Sequence, residues 1–314
     1  MPIGNLVAKI KIAIVGLGKI ARDQHVPTLH SSDAFELIAV ASPHGKLDGV
    51  PNFNDIESLL RAMPEVTAVA LCTTPQVRYD IARFVLQQGR HVLLEKPPGV
   101  TVSEVLALAD LAKQRRVTLF ASWHSRHARA VEPARVWLAS RKILKVAITW
   151  KEDVRVWHPG QTWIWKAGGL GVFDPGINAL SILTGIIPGT FVLKNAELSY
   201  PGNCETPIAA RLLLTGPREE VVHVEFDFLQ TGPQTWNIDV ETDAGPLNLS
   251  MGGSVILVNN RPVVTAPTTE YANLYRHFAE LIHRGRVDVD VAPLQLVADA
   301  FLCGRRVDVE PFVE

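Results

Sequence analysis

The order of apolar and polar positions over about the first 125 residues predicts strands and helices in turn. Short β-branched runs, such as KIAIV at Lys11–Val15 and FELIAVA at Phe35–Ala41, are apolar throughout. Stretches with helical spacing lie between such runs, for example VRYDIARFVLQQ at Val77–Gln88, which stops at Gly89. Strands that are apolar on both faces and alternate with helices indicate a parallel sheet covered on both sides. We therefore predict a doubly wound Rossmann domain over residues 1–126.

The pattern changes in the rest of the chain. From Leu144 onwards, short strands follow one another with turn signals such as Asn259–Pro262 between them. This pattern predicts an α+β domain over residues 127–314 with a large, mostly antiparallel open sheet. The last two predicted helices, Glu270–Arg284 and Pro293–Gly304, belong to this range, but packing against the first domain is an open alternative.

Composition excludes several classes of function. The 314 residues are 47% apolar and 20% charged, as in an ordinary two-domain globular protein. The net charge of −1 favours neither nucleic acid nor an anionic membrane, and we interpret Arg115–Arg116 and Arg305–Arg306 as solvated helix ends. No signal peptide or membrane-spanning stretch is recognisable, so we expect a cytoplasmic protein. The three cysteines form no C-x-x-C pair, and we expect neither a disulfide framework nor a metal site.

A dinucleotide fingerprint directly follows the first predicted strand. The sequence from Gly16 to Ala21 reads G-x-G-x-x-A and leads into a predicted helix. Gly16 permits the tight turn, Gly18 lets a pyrophosphate approach the backbone, and Ala21 allows close packing. Backbone N–H groups at the start of the helix, around Lys19 and Ile20, are expected to face the phosphates. The fingerprint predicts a dinucleotide cofactor.

The end of the second predicted strand bears on the choice between NAD and NADP. A carboxylate there would hold the ribose hydroxyls and repel a 2′-phosphate. The chain instead has Ser42 and His44, with Lys46 close by. Ser42 can bind a hydroxyl or a phosphate oxygen, so we predict that both NAD and NADP are used. An ordinary loop at this place is the alternative.

Two further predicted strands end in polar loops, where Rossmann folds bind their ligands. The first loop assigned to the cofactor contains Cys72, Thr73, Thr74 and Pro75. The second contains Glu95 and Lys96, and Lys96 is expected to point a cation into the cofactor crevice.

Three motifs together resemble the Gfo/Idh/MocA oxidoreductases. They are the glycine fingerprint, the E-K-P of Glu95–Pro97 and GGLGVFDPG at Gly168–Gly176. The longer runs LEKPPG (94–99) and WKEDVRVWHPGQTWIW (150–165) resemble the bacterial sugar 1-dehydrogenases for L-arabinose and D-galactose within that family. The resemblance covers nearly the whole chain and implies the same two-domain fold, whose open sheet often makes oligomer contacts. A homodimer is therefore expected.

The resemblance also implies an activity, the oxidation of an aldopyranose at C1 to the aldonolactone. L-Arabinose, D-galactose and D-fucose would be substrates, and hydride would pass to the nicotinamide. Lys96 would contact the reacting hydroxyl, with Asp174 as its partner. Many family members have a histidine four residues after this aspartate, but this chain has Asn178, whose amide cannot accept a proton. The base would then be Asp174 or Lys96, while Asn178 would bind a sugar hydroxyl.

Other polar and aromatic residues suit a small polyol. Candidate substrate contacts are His124, Glu152, Trp157, His158 and Asn178, and Trp165 is a candidate cofactor contact. A turn histidine at His158 and core packing of the tryptophans are the alternatives. A dehydrogenase for another polyol, or a non-catalytic NAD(P)-sensing regulator on the same fold, are the alternative functions.

Overall fold

The computed structural model describes residues 8–267 and 269–314, which form two compact units. Of the described residues, the first unit comprises three segments: 8–99, 103–122 and 271–289. The second unit comprises 100–102, 123–270 and 290–314.

The first unit contains a parallel sheet. Its strands are β1 (Ile10–Val15), β2 (Phe35–Ala41), β3 (Asn52–Phe53), β4 (Ala68–Leu71), β5 (His91–Leu94) and β6 (Leu119–Ala121). Among the described residues their order is β3-β2-β1-β4-β5-β6. Val15 pairs with both Ala41 and Leu71, and Leu71 pairs with Leu94, so these strands end at one level. The residues that follow the strands therefore share one edge of the sheet.

Helices lie between these strands. They are α1 (Val26–His30), preceded by a π-helical turn at Ala21–His25, α2 (Ile56–Ala62), α3 (Pro75–Gln87) and α4 (Val102–Arg115). Local chemistry explains where two of them begin. The Asp55 carboxylate accepts the Ser58 N–H at 2.7 Å at the start of α2. α3 begins with Pro75, whose fixed φ and missing N–H suit a first helical turn.

The second unit contains a mixed sheet. Its strands are β7 (Ile143–Lys151), β8 (Val192–Pro201), β9 (Ala209–Thr215), β10 (Val221–Asp227), β11 (Thr235–Thr242), β12 (Gly245–Ser250), β13 (Val255–Val258), β14 (Arg261–Pro262) and β15 (Arg305–Val309). Within the described ranges the order is β14-β13-β12-β11-β7-β10-β9-β8-β15. β7 runs parallel to β10, and β8 parallel to β15, while the other neighbours are antiparallel. Along β7, Val146, Ile148 and Trp150 are buried and alternate with more accessible residues, so one face carries the core.

Helices cover the inner face of this sheet. They are α5 (Val131–Leu138), α7 (Phe173–Ile186) and α9 (Ala292–Cys303). The single turn α6 (Val154–Trp157) follows β7, and α8 (Glu270–Arg284) precedes α9 in the chain. α7 lies so close to β10 that a Cβ on Gly176 would come within 2.7 Å of the Phe226 ring. From Tyr271 onwards α8 belongs to the first unit, where Tyr275 and Phe278 pack against Phe35.

The predicted fold class, a Rossmann sheet followed by a larger and mostly antiparallel sheet, is confirmed. The interpretation of Arg305–Arg306 as a helix end is wrong, because both residues lie in β15, which pairs with β8. Sequence analysis also missed β3, β14 and α6, which are too short for a periodic pattern, and it missed α5. No helix of the described residues is both long and apolar enough to cross a membrane.

Candidate active site

The glycine fingerprint follows β1 at the carboxyl edge of the first sheet. Gly16 has a φ of +87°, and a Cβ there would lie 2.8 Å from the Thr73 nitrogen, so the close approach of two loops requires glycine. At Gly18 a Cβ would meet nothing within 4 Å, which leaves the backbone open to a ligand. Ala21 is fully buried where the helix packs on the sheet. These features fit the pyrophosphate of a dinucleotide.

The other candidates near the fingerprint differ in their surroundings. Lys19 is exposed and pairs with Asp23, and Ile20 packs against the core. Ser42 follows β2 and is half-buried, while His44 is exposed. Sequence analysis did not single out Arg22, whose guanidinium donates to the Lys46 carbonyl at 3.1 Å. Its position directly after the G-x-G-x-x-A signature was the available signal. Arg22 thus places a cation at the loop after β2.

A buried arginine joins the two loops that follow β4 and β5. The guanidinium of Arg78, in α3, is 2% exposed and donates to the backbone carbonyls of Thr73, Glu95 and Pro97. Cys72 and Thr74 are half-buried beside it, and Pro75 is buried as the first residue of α3. Sequence analysis missed Arg78, although a cation on the buried face of a predicted helix was a visible signal. Arg78 fixes the shape of both candidate cofactor loops.

Glu95 is the centre of a buried hydrogen-bond network. Its carboxylate is 2% exposed and accepts bonds from the His25 Nε2–H at 2.9 Å and the Tyr271 hydroxyl at 2.6 Å. The backbone N–H of Lys96 donates to the other carboxylate oxygen at 2.7 Å. The π-helical turn ends at His25 and brings its ring to this carboxylate. Glu95 thus orients the backbone of Lys96 rather than facing solvent.

The network changes the proton affinity of His25. Burial alone would lower the His25 pKa, but Cys72, Tyr275 and Glu95 outweigh burial and raise the pKa well above the usual 6.5. The other ring nitrogen lies 2.7 Å from the Tyr275 hydroxyl, whose own pKa burial raises to about 12. A protonated His25 therefore donates to both neighbours and balances the buried charge of Glu95.

In the second unit, Glu152 directly follows β7 and faces a histidine. The Glu152 carboxylate is 2% exposed, with one oxygen 2.9 Å from Nε2 of His158 and the other accepting the Trp236 indole N–H at 2.9 Å. The Asp153 side chain caps the single turn of α6 by accepting the Arg155 N–H at 3.0 Å. That turn folds the chain back and brings His158 against Glu152.

Asp174 lies on the other side of the His158 ring. Its Oδ2 is 3.6 Å from His158 Nδ1, slightly beyond hydrogen-bond distance. Asp174 is 3% exposed and lies in the first turn of α7, where the helix dipole favours a negative charge. Asn178 is half-buried one turn further along the same helix. Glu152, His158 and Asp174 form a line of two carboxylates with an imidazole between them.

Indole rings lie beside this line. Trp236 stacks on Trp150 with ring centroids 5.9 Å apart, and Trp157 lies 4.8 Å from Trp236. Trp157 is 39% exposed, unlike the buried Trp150. Sequence analysis did not single out Trp236, because its strand lies far from Glu152 along the chain. An acceptor-rich line beside an exposed indole suits a molecule with hydroxyl groups and apolar C–H faces.

Two predicted contacts have other partners in the second unit. His124 lies with Nδ1 2.6 Å from a carboxylate oxygen of Glu270. Trp165 packs against Phe228 and Phe312, with ring centroids 5.7 and 5.2 Å apart. Their predicted roles in binding sugar and cofactor remain predictions.

Comparisons with known proteins agree with this geometry. Residues 10–122 match the family model described as "Oxidoreductase family, NAD-binding Rossmann fold" (GFO_IDH_MocA). A galactose 1-dehydrogenase of Pseudomonas fluorescens is 45% identical over 305 residues, which is 97% of this chain and 99% of the relative. The chain belongs to the Gfo/Idh/MocA oxidoreductase family. The predicted resemblance is thereby confirmed.

Solved structures extend the comparison. The crystal structure of a D-galactose-1-dehydrogenase protein from Rhizobium etli is 52% identical, with a TM-score of 0.94, and the match covers 98% of this chain and 99% of that one. A 3-ketoreductase from Actinomadura kijaniata in complex with NADP and TDP-benzene shares the fold at 18% identity and a TM-score of 0.82, over 96% and 100% of the two chains. As a Gfo/Idh/MocA oxidoreductase, this chain uses a nicotinamide cofactor.

Substitution of His25 by glutamine tests the charged network. The substitution removes the cationic partner of the buried Glu95 carboxylate, and it should lower the free energy of unfolding by about 3–5 kcal/mol. The contribution of His25 to stability is complete below 6.5, the pKa of this side chain in the unfolded protein. The contribution is lost as the pH rises through the raised pKa of His25 in the folded protein. The gap in melting temperature between wild type and His25→Gln should therefore narrow as the pH rises above about 6.5 and through the raised pKa of the folded protein.

Differential scanning fluorimetry over that pH range provides the measurement. His30→Gln, at an exposed position five residues away, should follow the wild type at every pH. A gap between wild type and His25→Gln that stays constant with pH would contradict a charged His25.

Proposed function

We propose that this protein oxidises an aldopyranose at C1 to the aldonolactone, with L-arabinose, D-galactose and D-fucose as substrates. The observation that carries the proposal is the line of Glu152, His158 and Asp174 beside the indoles of Trp157 and Trp236. This line offers acceptors to several hydroxyls and an apolar surface to C–H bonds. The two relatives named galactose 1-dehydrogenase, each matching nearly the whole chain, support the same choice.

The reaction needs a hydride acceptor and a proton acceptor. When bound, the oxidised nicotinamide takes the C1 hydrogen as hydride. We assign Lys96 to the reacting hydroxyl, because its backbone is fixed at the edge of the sheet through Glu95. Asp174 and Asn178, one turn apart on α7, are assigned to the sugar and its reacting end. Asn178 binds a hydroxyl and does not take a proton.

The sugar assay is a direct test. Absorbance at 340 nm should rise with L-arabinose, D-galactose or D-fucose in the presence of NAD or NADP. With D-glucose, kcat/KM should be at least about tenfold lower, because the axial C4 hydroxyl is missing and buried acceptors lose their partner. Lys96→Ala and Asp174→Ala should each lower kcat about 10²- to 10⁴-fold.

Lys113 and Asp110 provide the matched control, since they form an exposed ion pair on α4 with 3.2 Å between the charged atoms. Alanine at either position should leave kcat unchanged. Preferred turnover of myo-inositol would instead favour a dehydrogenase of another polyol. Cofactor binding without turnover of any polyol would favour the NAD(P)-sensing regulator.

We also propose that the protein uses both NAD and NADP. Ser42 follows β2 where a carboxylate would repel a 2′-phosphate, and the Arg22 guanidinium reaches the same loop at Lys46. Serine serves the ribose hydroxyls of NAD, and Arg22 adds a charge for the 2′-phosphate of NADP.

Replacing Arg22 by glutamine should therefore separate the two cofactors. KM for NADP should rise about tenfold, which corresponds to the loss of about 1.4 kcal/mol, while KM for NAD stays within about twofold. Steady-state kinetics with each cofactor provide the measurement, and Arg61→Gln, an exposed arginine of α2, is the control. Equal changes for both cofactors would rule out a phosphate contact.

A homodimer in the cytoplasm completes the proposal. On the outer face of the second sheet, Lys151 pairs with Glu225 at 2.9 Å, and Arg211 lies 3.7 Å from Glu225. Such a mixture of charges can match a second copy related by a twofold axis. Thr149 and Asn237 pair near the middle of this face.

Light scattering after size exclusion should give a dimer mass at micromolar concentration. The variant Thr149→Arg should shift the measured mass towards that of a monomer. An arginine near the twofold axis would face the same arginine of the second copy, and like charges repel across an interface. A wild-type monomer would refute the dimer without affecting the proposed reaction.

A further inference from the structure

We propose that His158 is the base that takes the proton from the anomeric hydroxyl, with Glu152 holding its ring in the required tautomer. The inference rests on the proposed oxidation at C1 and names the proton acceptor of that reaction. All of its observations come from the second unit. They are the carboxylate on one ring nitrogen of His158, the carboxylate facing the other, and the asparagine at position 178.

Glu152 determines which nitrogen of His158 carries hydrogen. One Glu152 oxygen accepts from the Trp236 indole, which can only donate. The other lies 2.9 Å from His158 Nε2, and an ionised carboxylate can only accept. Nε2 must therefore carry the hydrogen, and in the neutral ring Nδ1 holds a lone pair. The base site of the ring is thus directed towards Asp174.

The gap between His158 and Asp174 is suited to hydroxyl groups. Nδ1 is buried and has no hydrogen-bond partner among the described residues, and Asp174 Oδ2 lies 3.6 Å away. In the neutral ring Nδ1 is an acceptor, so it requires a donor that a bound ligand can supply. Adjacent hydroxyls of a pyranose supply two donors side by side. We place the anomeric hydroxyl on Nδ1 and a neighbouring hydroxyl on Asp174.

The step balances without any further reactant. The C1–H bond breaks and its electron pair leaves with the hydrogen as hydride to the oxidised nicotinamide, which is thereby reduced. The O–H bond of the anomeric hydroxyl breaks and its proton goes to Nδ1, while a C1=O bond forms. His158 then returns the proton to solvent when the lactone leaves.

The surrounding charges favour this direction of proton transfer. The imidazolium that forms lies between Glu152 and Asp174, whose nearest oxygens are 2.9 and 3.6 Å from its two nitrogens. Both carboxylates are nearly excluded from solvent, so their attraction to the new charge is weakly screened. A carboxylate behind a histidine base also fixes the ring in orientation. Asp174 therefore acts as a positioning and electrostatic group.

His158 also explains the asparagine in α7. Position 178 cannot supply a proton acceptor, since an amide is not a base. The loop after α6 supplies an imidazole to the same aspartate from a different part of the chain. The loop after α6, rather than α7, thus supplies the proton acceptor.

The kinetic test compares three variants with D-galactose as substrate. His158→Gln keeps a donor towards Glu152 but removes the base, and kcat should fall about 10²- to 10⁴-fold with a smaller change in KM. His158→Ala should behave likewise and recover activity when imidazole is added to the buffer. His277→Gln is the matched control, because His277 also contacts a carboxylate, with Nε2 2.6 Å from Asp288, but in the first unit.

A second measurement is independent of turnover. In protein labelled with ¹⁵N-histidine, the His158 ring, assigned by its absence from His158→Gln, should show the Nε2–H tautomer when neutral. NADPH binding, followed by fluorescence, should be unchanged in His158→Gln. In Glu152→Gln the ¹⁵N signals should shift towards the other tautomer, because an amide can donate to Nε2.

The outcomes separate the two proposals. Wild-type turnover of galactose with near-normal kcat in His158→Gln would overturn the base assignment and leave the proposed function intact. An Nδ1–H tautomer would overturn it as well. Wild-type protein inactive with every sugar would overturn the proposed function, and the assignment of this proton would fail with it. A low kcat in His158→Gln that imidazole restores in His158→Ala would establish the base.

Discussion

The buried charge of Glu95 is the constraint on which the nucleotide end of the first unit depends. A carboxylate in the interior is tolerated only when donors surround it. Here the donors are His25, Tyr271 and the backbone of Lys96. They come from the helix after the glycine fingerprint, from α8 and from the loop after β5, so one carboxylate holds three distant segments together. The Arg78 guanidinium also joins segments, because it donates hydrogen bonds to backbone carbonyls of the loops after β4 and β5. The backbone at Lys96 is thus held in place from several sides.

The second unit also contains a buried glutamate beside a histidine, but the surroundings of that histidine differ. Glu152 also follows a strand directly, is also buried, and also binds a histidine. Its histidine, however, has its second nitrogen towards another carboxylate rather than towards a tyrosine hydroxyl. His25 lies between the Glu95 carboxylate and the Tyr275 hydroxyl and its pKa is raised, so it serves as a structural cation. His158 has an unsatisfied nitrogen, which is what a base needs.

Membership in an oxidoreductase family sets the hydride chemistry but not the source of the proton acceptor. Hydride transfer depends on the nicotinamide, whose binding the fingerprint glycines serve. The proton acceptor depends on a few side chains that can be supplied from different segments, provided that their atoms reach the same place.

The sequence by itself determined the fold class, the order of most strands and helices, and the fingerprint, because these depend on local periodicity and on short motifs with fixed spacing. It also determined Glu95, Lys96, Glu152 and Asp174 as candidates, since each lies in a motif. It did not indicate the hydrogen bond from Trp236 to Glu152, the hydrogen bonds from Arg78 to two loops, or the positive charge of His25. Tertiary structure alone decided these, because hydrogen bonds between segments far apart in the chain leave no periodic trace in either segment. The same reason applies to His158, whose chemistry follows from two carboxylates that only folding brings to its ring.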